Sequence, residues 1–167
     1  KKVALALMEL IRTKYPKDSL DIIVFGDQAV EISPSDLPWV SVGPYHTNTK
    51  AALELSERLL MRRKHANRQV FLITDGKPSC IEEEGLLYKN SFGLDPKIVN
   101  QTLGAARSCR RREITITTFM IAQDPYLVNF VDELTRVNKG RAYYSSLDRL
   151  GSFIFQDYQQ NLKKRVK

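Results

Sequence analysis

Gln69-Val70-Phe71-Leu72-Ile73-Thr74-Asp75-Gly76 is the stretch on which the fold turns. Residues 69–74 are a run of apolar and β-branched side chains, too short for a buried helix, and they read as a strand covered on both faces. Asp75-Gly76 ends the run as a turn pair. A strand that is apolar on both sides needs packing partners above and below, so helices are expected on each side of its sheet.

The neighbouring sequence supplies them. Upstream, residues 49–64 carry Ala52, Leu55, Leu59 and Leu60 at helical spacing. Downstream, residues 96–112 place Val99, Leu103 and Ala106 on one side. Further out lie a helix over 2–15 with Val3, Leu7, Met8 and Ile11 inward, stopped by Pro16, and a strand at 20–25. Gly26-Asp27-Gln28 turns the chain into a short strand, Ala29 to Ile32. A Ser- and Pro-rich loop follows from Ser33 to Pro44, and Trp39 within it reads as a packing residue under the loop, with an exposed anchor as the alternative. Residues 77–94 show no clear period and read as a long loop. A β-branched strand occupies 114–122, and Asp124-Pro125 opens a helix as N-cap and first-turn proline. That helix carries Leu127, Val131 and Leu134 inward and ends at Gly140. Ala142-Tyr143-Tyr144 is a last short strand, and 147–164 a closing amphipathic helix with Leu150, Ile154 and Tyr158.

Strands alternating with helices give an α/β fold: a doubly wound, Rossmann-like, mostly parallel sheet with helices on both faces and an antiparallel edge strand. With no repeat, low-complexity tract or linker in view, 1–167 is expected to be a single domain. The hydrophobic fraction of 43% excludes a disordered tail, and a chain this long buries a core without disulfides. Cys80 and Cys109 are too few for a disulfide framework, which points to a reducing, cytoplasmic compartment. No apolar run approaches the ~18 residues that span a bilayer, so no membrane association is expected. Glu9 and Arg12 break up the basic-then-apolar start, so a signal peptide is not expected either.

The net charge of +7 admits an anionic partner. However, Arg62-Arg63-Lys64, Arg110-Arg111-Arg112 and Lys163-Lys164-Arg165 each end a helical segment, where cations complement the helix dipole. Nucleic acid is not the expected partner, since aromatics are not interleaved with these runs.

In such folds ligands bind beyond the C-terminal ends of the strands, so residues just after each strand are the candidates. Asp75 stands there, as a metal ligand or as a turn aspartate. Thr47-Asn48-Thr49 opens a helix, either as capping residues or with one hydroxyl facing a cation. His46 and His65 lack zinc-ligand spacing, and His46 is placed on the site rim. Neither cysteine has a visible base, Ser79 lacks a nucleophile-elbow setting, and no phosphate-binding glycine loop occurs. Lys77, Ser79, Glu82, Glu83, Glu84, Tyr88 and Lys89, which follow Asp75, are candidate partner-reading residues.

Two stretches carry a resemblance. Tyr45-His46-Thr47-Asn48-Thr49-Lys50-Ala51-Ala52-Leu53 and Phe71-Leu72-Ile73-Thr74-Asp75-Gly76-Lys77-Pro78 are similar to the second and third parts of the metal-ion-dependent adhesion site of von Willebrand factor A domains. The order of the remaining elements resembles that family over nearly the whole chain, in the style of bacterial intracellular A domains such as that of the magnesium chelatase D subunit. The resemblance implies one Mg²⁺, with Mn²⁺ or Ca²⁺ as substitutes, at the upper sheet edge. It implies Thr47 and Asp75 as metal residues, with His46, Asn48, Thr49, Gly76, Lys77 and Ser79 around the rim. It further implies a non-enzymatic, protein-binding role in which a partner's acidic side chain completes the ion's shell, the partner being an AAA+ ATPase complex. The family's first metal motif, Asp-x-Ser-x-Ser, and the strand before it do not occur in this sequence. The expectation is that the chain lacks an N-terminal piece carrying them. Pro44-Tyr45-His46 also stands where many relatives have glycines. Two other readings are a metal-assisted hydrolase or phosphotransfer domain with Asp75 at the metal, and a basic nucleic-acid-binding module.

Overall fold

Parallel pairing of two seven-residue strands forms the centre of the structure. In the computed structural model, β3 (Arg68–Thr74) lies against β6 (Ile114–Met120) from Arg68 opposite Ile114 to Thr74 opposite Met120. β7 (Arg141–Tyr144) continues the sheet on the far side of β6, also parallel. The structure describes residues 2–41, 46–120, 124–144 and 147–163. The side chains of Val3, Leu7 and Leu150, expected to point inward, and residues 121–122 at the end of the expected 114–122 strand lie outside that description.

Side-chain alternation along these strands divides the core in two. Val70, Leu72, Ile114, Ile116 and Met120 face a largely aliphatic layer. That layer is built from α2 (Thr49–Arg62), α3 (Pro96–Arg111) and α4 (Pro125–Asn138), with Leu53, Leu103, Phe130 and Leu134 at its centre. Phe71, Ile73, Phe119 and Tyr143 face the opposite layer, covered by α1 (Lys2–Lys14) and α5 (Leu147–Lys163) through Ile11, Ile154 and Tyr158. Here the rings of Phe119 and Tyr143 stack at 5.3 Å, Phe71 meets Phe119 edge-on at 5.8 Å, and Tyr15 meets Tyr158 at 5.2 Å. The sheet is therefore wound on both faces, as the sequence pattern implies.

β1 (Ile22–Phe25) and β2 (Ala29–Ile32) form an antiparallel hairpin. Among the described residues no ladder joins β1 to β3. Between them opens a cavity of about 310 Å³, lined by Ile22–Phe25, by residues 70–73 and by helical side chains including Leu53 and Ile154.

Three expectations need correction. Residues 77–94 are not a plain loop: β4 (Cys80–Glu83) and β5 (Leu86–Lys89) form an antiparallel hairpin within them. Its two-residue turn, Glu84-Gly85, has φ of 50° and 78°. Both values are left-handed, the arrangement of a type I′ turn that matches strand twist. Cys80 is accordingly a buried strand residue rather than a loop residue. Trp39 is not packed under its loop: it ends a 3₁₀ turn, Leu37–Trp39, in which Leu37 is buried while Trp39 is 84% exposed.

α4 is followed by Lys139, which takes the left-handed conformation (φ 57°), and the next residue must be glycine for a packing reason. A Cβ on Gly140 would fall 1.9 Å from the carbonyl oxygen of Ile116. Beside it, buried Asn138 accepts from the amide of Ile116 and donates to the carbonyls of Ala106 and Ile114. No helix among the described residues is long and apolar enough to cross a membrane.

Candidate functional site

The C-terminal ends of β1 and β3 and the start of α2 converge on one edge of the molecule. β3 ends at Thr74, whose hydroxyl donates to the carbonyl of Gly76 at 2.8 Å and accepts from its amide at 3.2 Å. This local closure fixes the turn and leaves Asp75 exposed at its apex.

Thr47 comes from the segment entering α2. Asn48 caps that helix: its side-chain oxygen accepts from the amide of Ala51, and its side-chain nitrogen donates to the carbonyl of Asp27. Asn48 and Thr49 are each about 1% exposed, so capping and packing occupy these two rim candidates. The Thr47 hydroxyl reaches the Asp75 turn, since a Cβ placed on Gly76 would lie 3.2 Å from its oxygen. The glycine keeps the turn and the hydroxyl in near contact. Thr47 and the Asp75-Gly76 turn are thus neighbours, although 28 positions separate Thr47 from Asp75 in the sequence.

Around them, the buried Ser79 lies against Thr47 through two hydrogen bonds. The backbone amide of His46 donates to the Asp27 carboxylate at 2.8 Å, and its ring nitrogen lies 3.1 Å from the same oxygen. The amide hydrogen bond from His46 is the main reason the Asp27 carboxyl sits below its ordinary pKa, against an opposing effect of burial. Lys77 leads away from the turn: its ammonium donates to the carbonyl of Ser91 and lies 6.0 Å from the centre of the Tyr126 ring.

The hairpin behind Ser79 is fastened to α3. Asp95 caps α3 through the amides of Lys97 and Ile98 and accepts from Tyr88 and Asn90. Glu83 pairs with Lys97 and accepts from Gln101. These contacts hold the hairpin as a fixed wall beside the edge.

The donor chemistry suits a hard cation, for which a hydroxyl and a carboxylate are the preferred oxygen types. Among the described residues no three His, Cys, Asp or Glu side chains are grouped so that they could hold a metal ion. Thr47 and Asp75 are the two residues at this edge that could contribute oxygen donors to a cation. Burial pushes the thiol pKa of Cys80 up to about 11 and that of Cys109 up to about 12. Both sulfurs are protonated and inert at neutral pH.

The sequence reading assigned Asp27 no role at this edge. Its signal in the sequence is its place just after a strand; the residues it meets, His46, Asn48 and Lys89, are 19 or more positions away.

Residues 1–159 match the vWA domain of the Rv0959-like proteins. The chain belongs to that von Willebrand factor A domain family. Relatives include uncharacterized proteins of Mycobacterium tuberculosis (Rv0959) and Mycobacterium bovis (Mb0984), each 31% identical over 164 residues. The match covers 95% of this chain and 24% of each relative, so the chain spans about a quarter of their length. Among solved structures, proximal thread matrix protein 1 of the mussel byssus matches with a TM-score of 0.58 at 16% identity, covering 93% of this chain and 39% of that one. Its second crystal form gives 0.55 at 17% identity, with 93% and 38% covered. At that identity the likeness concerns the fold alone.

Proposed function

We propose that this A domain is a Mg²⁺-dependent protein-binding module without catalytic activity of its own. The observation that carries the reading is the approach of the Thr47 hydroxyl to Gly76, beside Asp75. It joins one neutral and one anionic oxygen donor at the C-terminal edge of the strands, where ligands of this sheet type bind. Thr47 and Asp75 would hold the ion, with further oxygen donors completing its shell. Mg²⁺ demands octahedral oxygen geometry and keeps exchangeable positions, one of which a partner's carboxylate would take. Mn²⁺ or Ca²⁺ would substitute. A partner of the AAA+ ATPase class, and a cytoplasmic setting in keeping with two free buried thiols, complete the proposal.

Calorimetric titration of Mg²⁺ into the full-length protein and its Asp75→Ala variant tests it. The expected result is saturable binding that the variant loses. Absence of binding in the unaltered protein, or equal binding in both, overturns the reading.

A further inference from the structure

The three residues that enter α2 are held far more tightly than a surface turn requires. The amide of His46 donates to the Asp27 carboxylate at 2.8 Å. The amide of Thr47 donates to the Ser79 hydroxyl at 2.9 Å, and the amide of Ser79 returns a bond to the carbonyl of Thr47 at 3.0 Å. The amide of Asn48 donates to the carbonyl of Gly26 at 2.8 Å, and its side chain to the carbonyl of Asp27 at 3.0 Å. Each amide from 46 to 48 thus has a named acceptor, and both peptide groups flanking Thr47 are fixed from outside the segment. With its backbone held, the direction of the Thr47 side chain is limited to rotation about one bond.

The holders come from two separate places. Asp27 stands just beyond β1. Ser79 stands just ahead of β4, and its carbonyl accepts from the amide of Asn90 at 2.9 Å, beyond the other end of the hairpin. Both are already engaged with the segment they hold. The Ser79 hydroxyl accepts from Thr47 and the residue is only 9% exposed, while one Asp27 oxygen faces both His46 nitrogens and the other lies 3.9 Å from the Lys89 ammonium.

We propose that Asp27 and Ser79 are positioning residues which aim the Thr47 hydroxyl at the cation beside Asp75. The inference rests on the metal-binding reading above and extends it to the groups that orient the donor. Partners that orient metal ligands commonly set affinity without touching the metal. Their mark is ion selectivity. Mg²⁺ tolerates little displacement of a donor, whereas Ca²⁺ accepts variable geometry. A misaimed hydroxyl therefore penalises Mg²⁺ more than Ca²⁺, while simple loss of fold weakens both alike.

The test is calorimetric titration of the full-length protein with Mg²⁺ and, separately, Ca²⁺, alongside thermal melting without either ion. Ser79→Ala and Asp27→Ala are expected to weaken Mg²⁺ binding about 10- to 100-fold and Ca²⁺ binding less. Ser79→Thr keeps the hydroxyl and Asp27→Asn keeps an accepting oxygen, so both are expected to restore most of the Mg²⁺ affinity. If Ser79→Ala melts below the titration temperature, Asp27→Ala decides alone. Unchanged Mg²⁺ affinity in the alanine variants, or equal losses for the two ions, overturns the inference and leaves the metal reading standing. No ion uptake by the unaltered protein overturns both.

Discussion

The two ends of the three-stranded sheet use polar residues in opposite ways. Toward the N-terminal end, polar groups are buried and spent on the protein itself. Asn138, 4% exposed, satisfies three backbone groups of β6 and α3. Asp157, fully buried in α5, receives Thr117, Arg141 and Tyr143. At the C-terminal end the bonds stop one step short: Thr74, Ser79, Asn48 and Asp27 are spent on the backbone, while Asp75 is left exposed and the Thr47 hydroxyl faces its turn. The contrast separates residues that specify a fold from residues that a fold presents.

Substitutions sharpen or break that contrast. The largest stability loss is expected at Gly140. In Gly140→Ala the new methyl collides with the Ile116 carbonyl at 1.9 Å, and relief requires β6 or the end of α4 to move. Overpacking against backbone is expected to cost about 3 kcal/mol or more, read as a lower urea midpoint. Asn138→Ala removes the partner of one amide and two carbonyls in a buried place. A loss of about 2–3 kcal/mol is expected by the same measurement. A loss below about 0.5 kcal/mol at either position would break the comparison at its buried end.

A smaller effect concerns Asp95, whose carboxyl is held below its ordinary pKa chiefly by the Asn90 side chain and then by the amide of Ile98. Because the folded value is depressed, the stabilisation is present above the ordinary value of 3.8 and is lost as pH falls through the folded one. Asp95→Asn retains a capping oxygen without the titration. Its melting temperature is expected to fall less steeply below pH 4 than that of the unaltered protein. The smallest stability change is expected at Asp75, where alanine should alter the urea midpoint by less than about 0.5 kcal/mol while abolishing Mg²⁺ uptake. A large loss of stability there would place Asp75 among the fold-specifying residues and erase the distinction between the two ends.

Much of this was legible in the sequence. The apolar run at 69–74 and the β-branched run at 114–122 both announce strands from composition alone, the second observed as Ile114–Met120. Asp124-Pro125 announces a helix start because a capping oxygen and a fixed φ are local devices, and Asp124 does accept from the amide of Tyr126. The position of Asp75 follows from the strand before it. The hairpin after it was not legible. Its strands have four residues each, one of them runs from Ile81 straight into Glu82 and Glu83, and its turn places a glutamate at positive φ before Gly85. The clasp around Thr47 was hidden for a different reason. Asp27 and Ser79 lie 20 and 32 positions away, and no periodicity records which distant loops meet.

Cys80 and Cys109 offer a consequence of their own. Both are sealed in the interior, with sulfurs near the carbonyls of Gly26 and Leu53. One reports on the hairpin, the other on the α2–α3 seam. A maleimide dye reaches either only when its surroundings come apart, so the pace of labelling becomes a two-channel clock for how often each part of the domain breathes open.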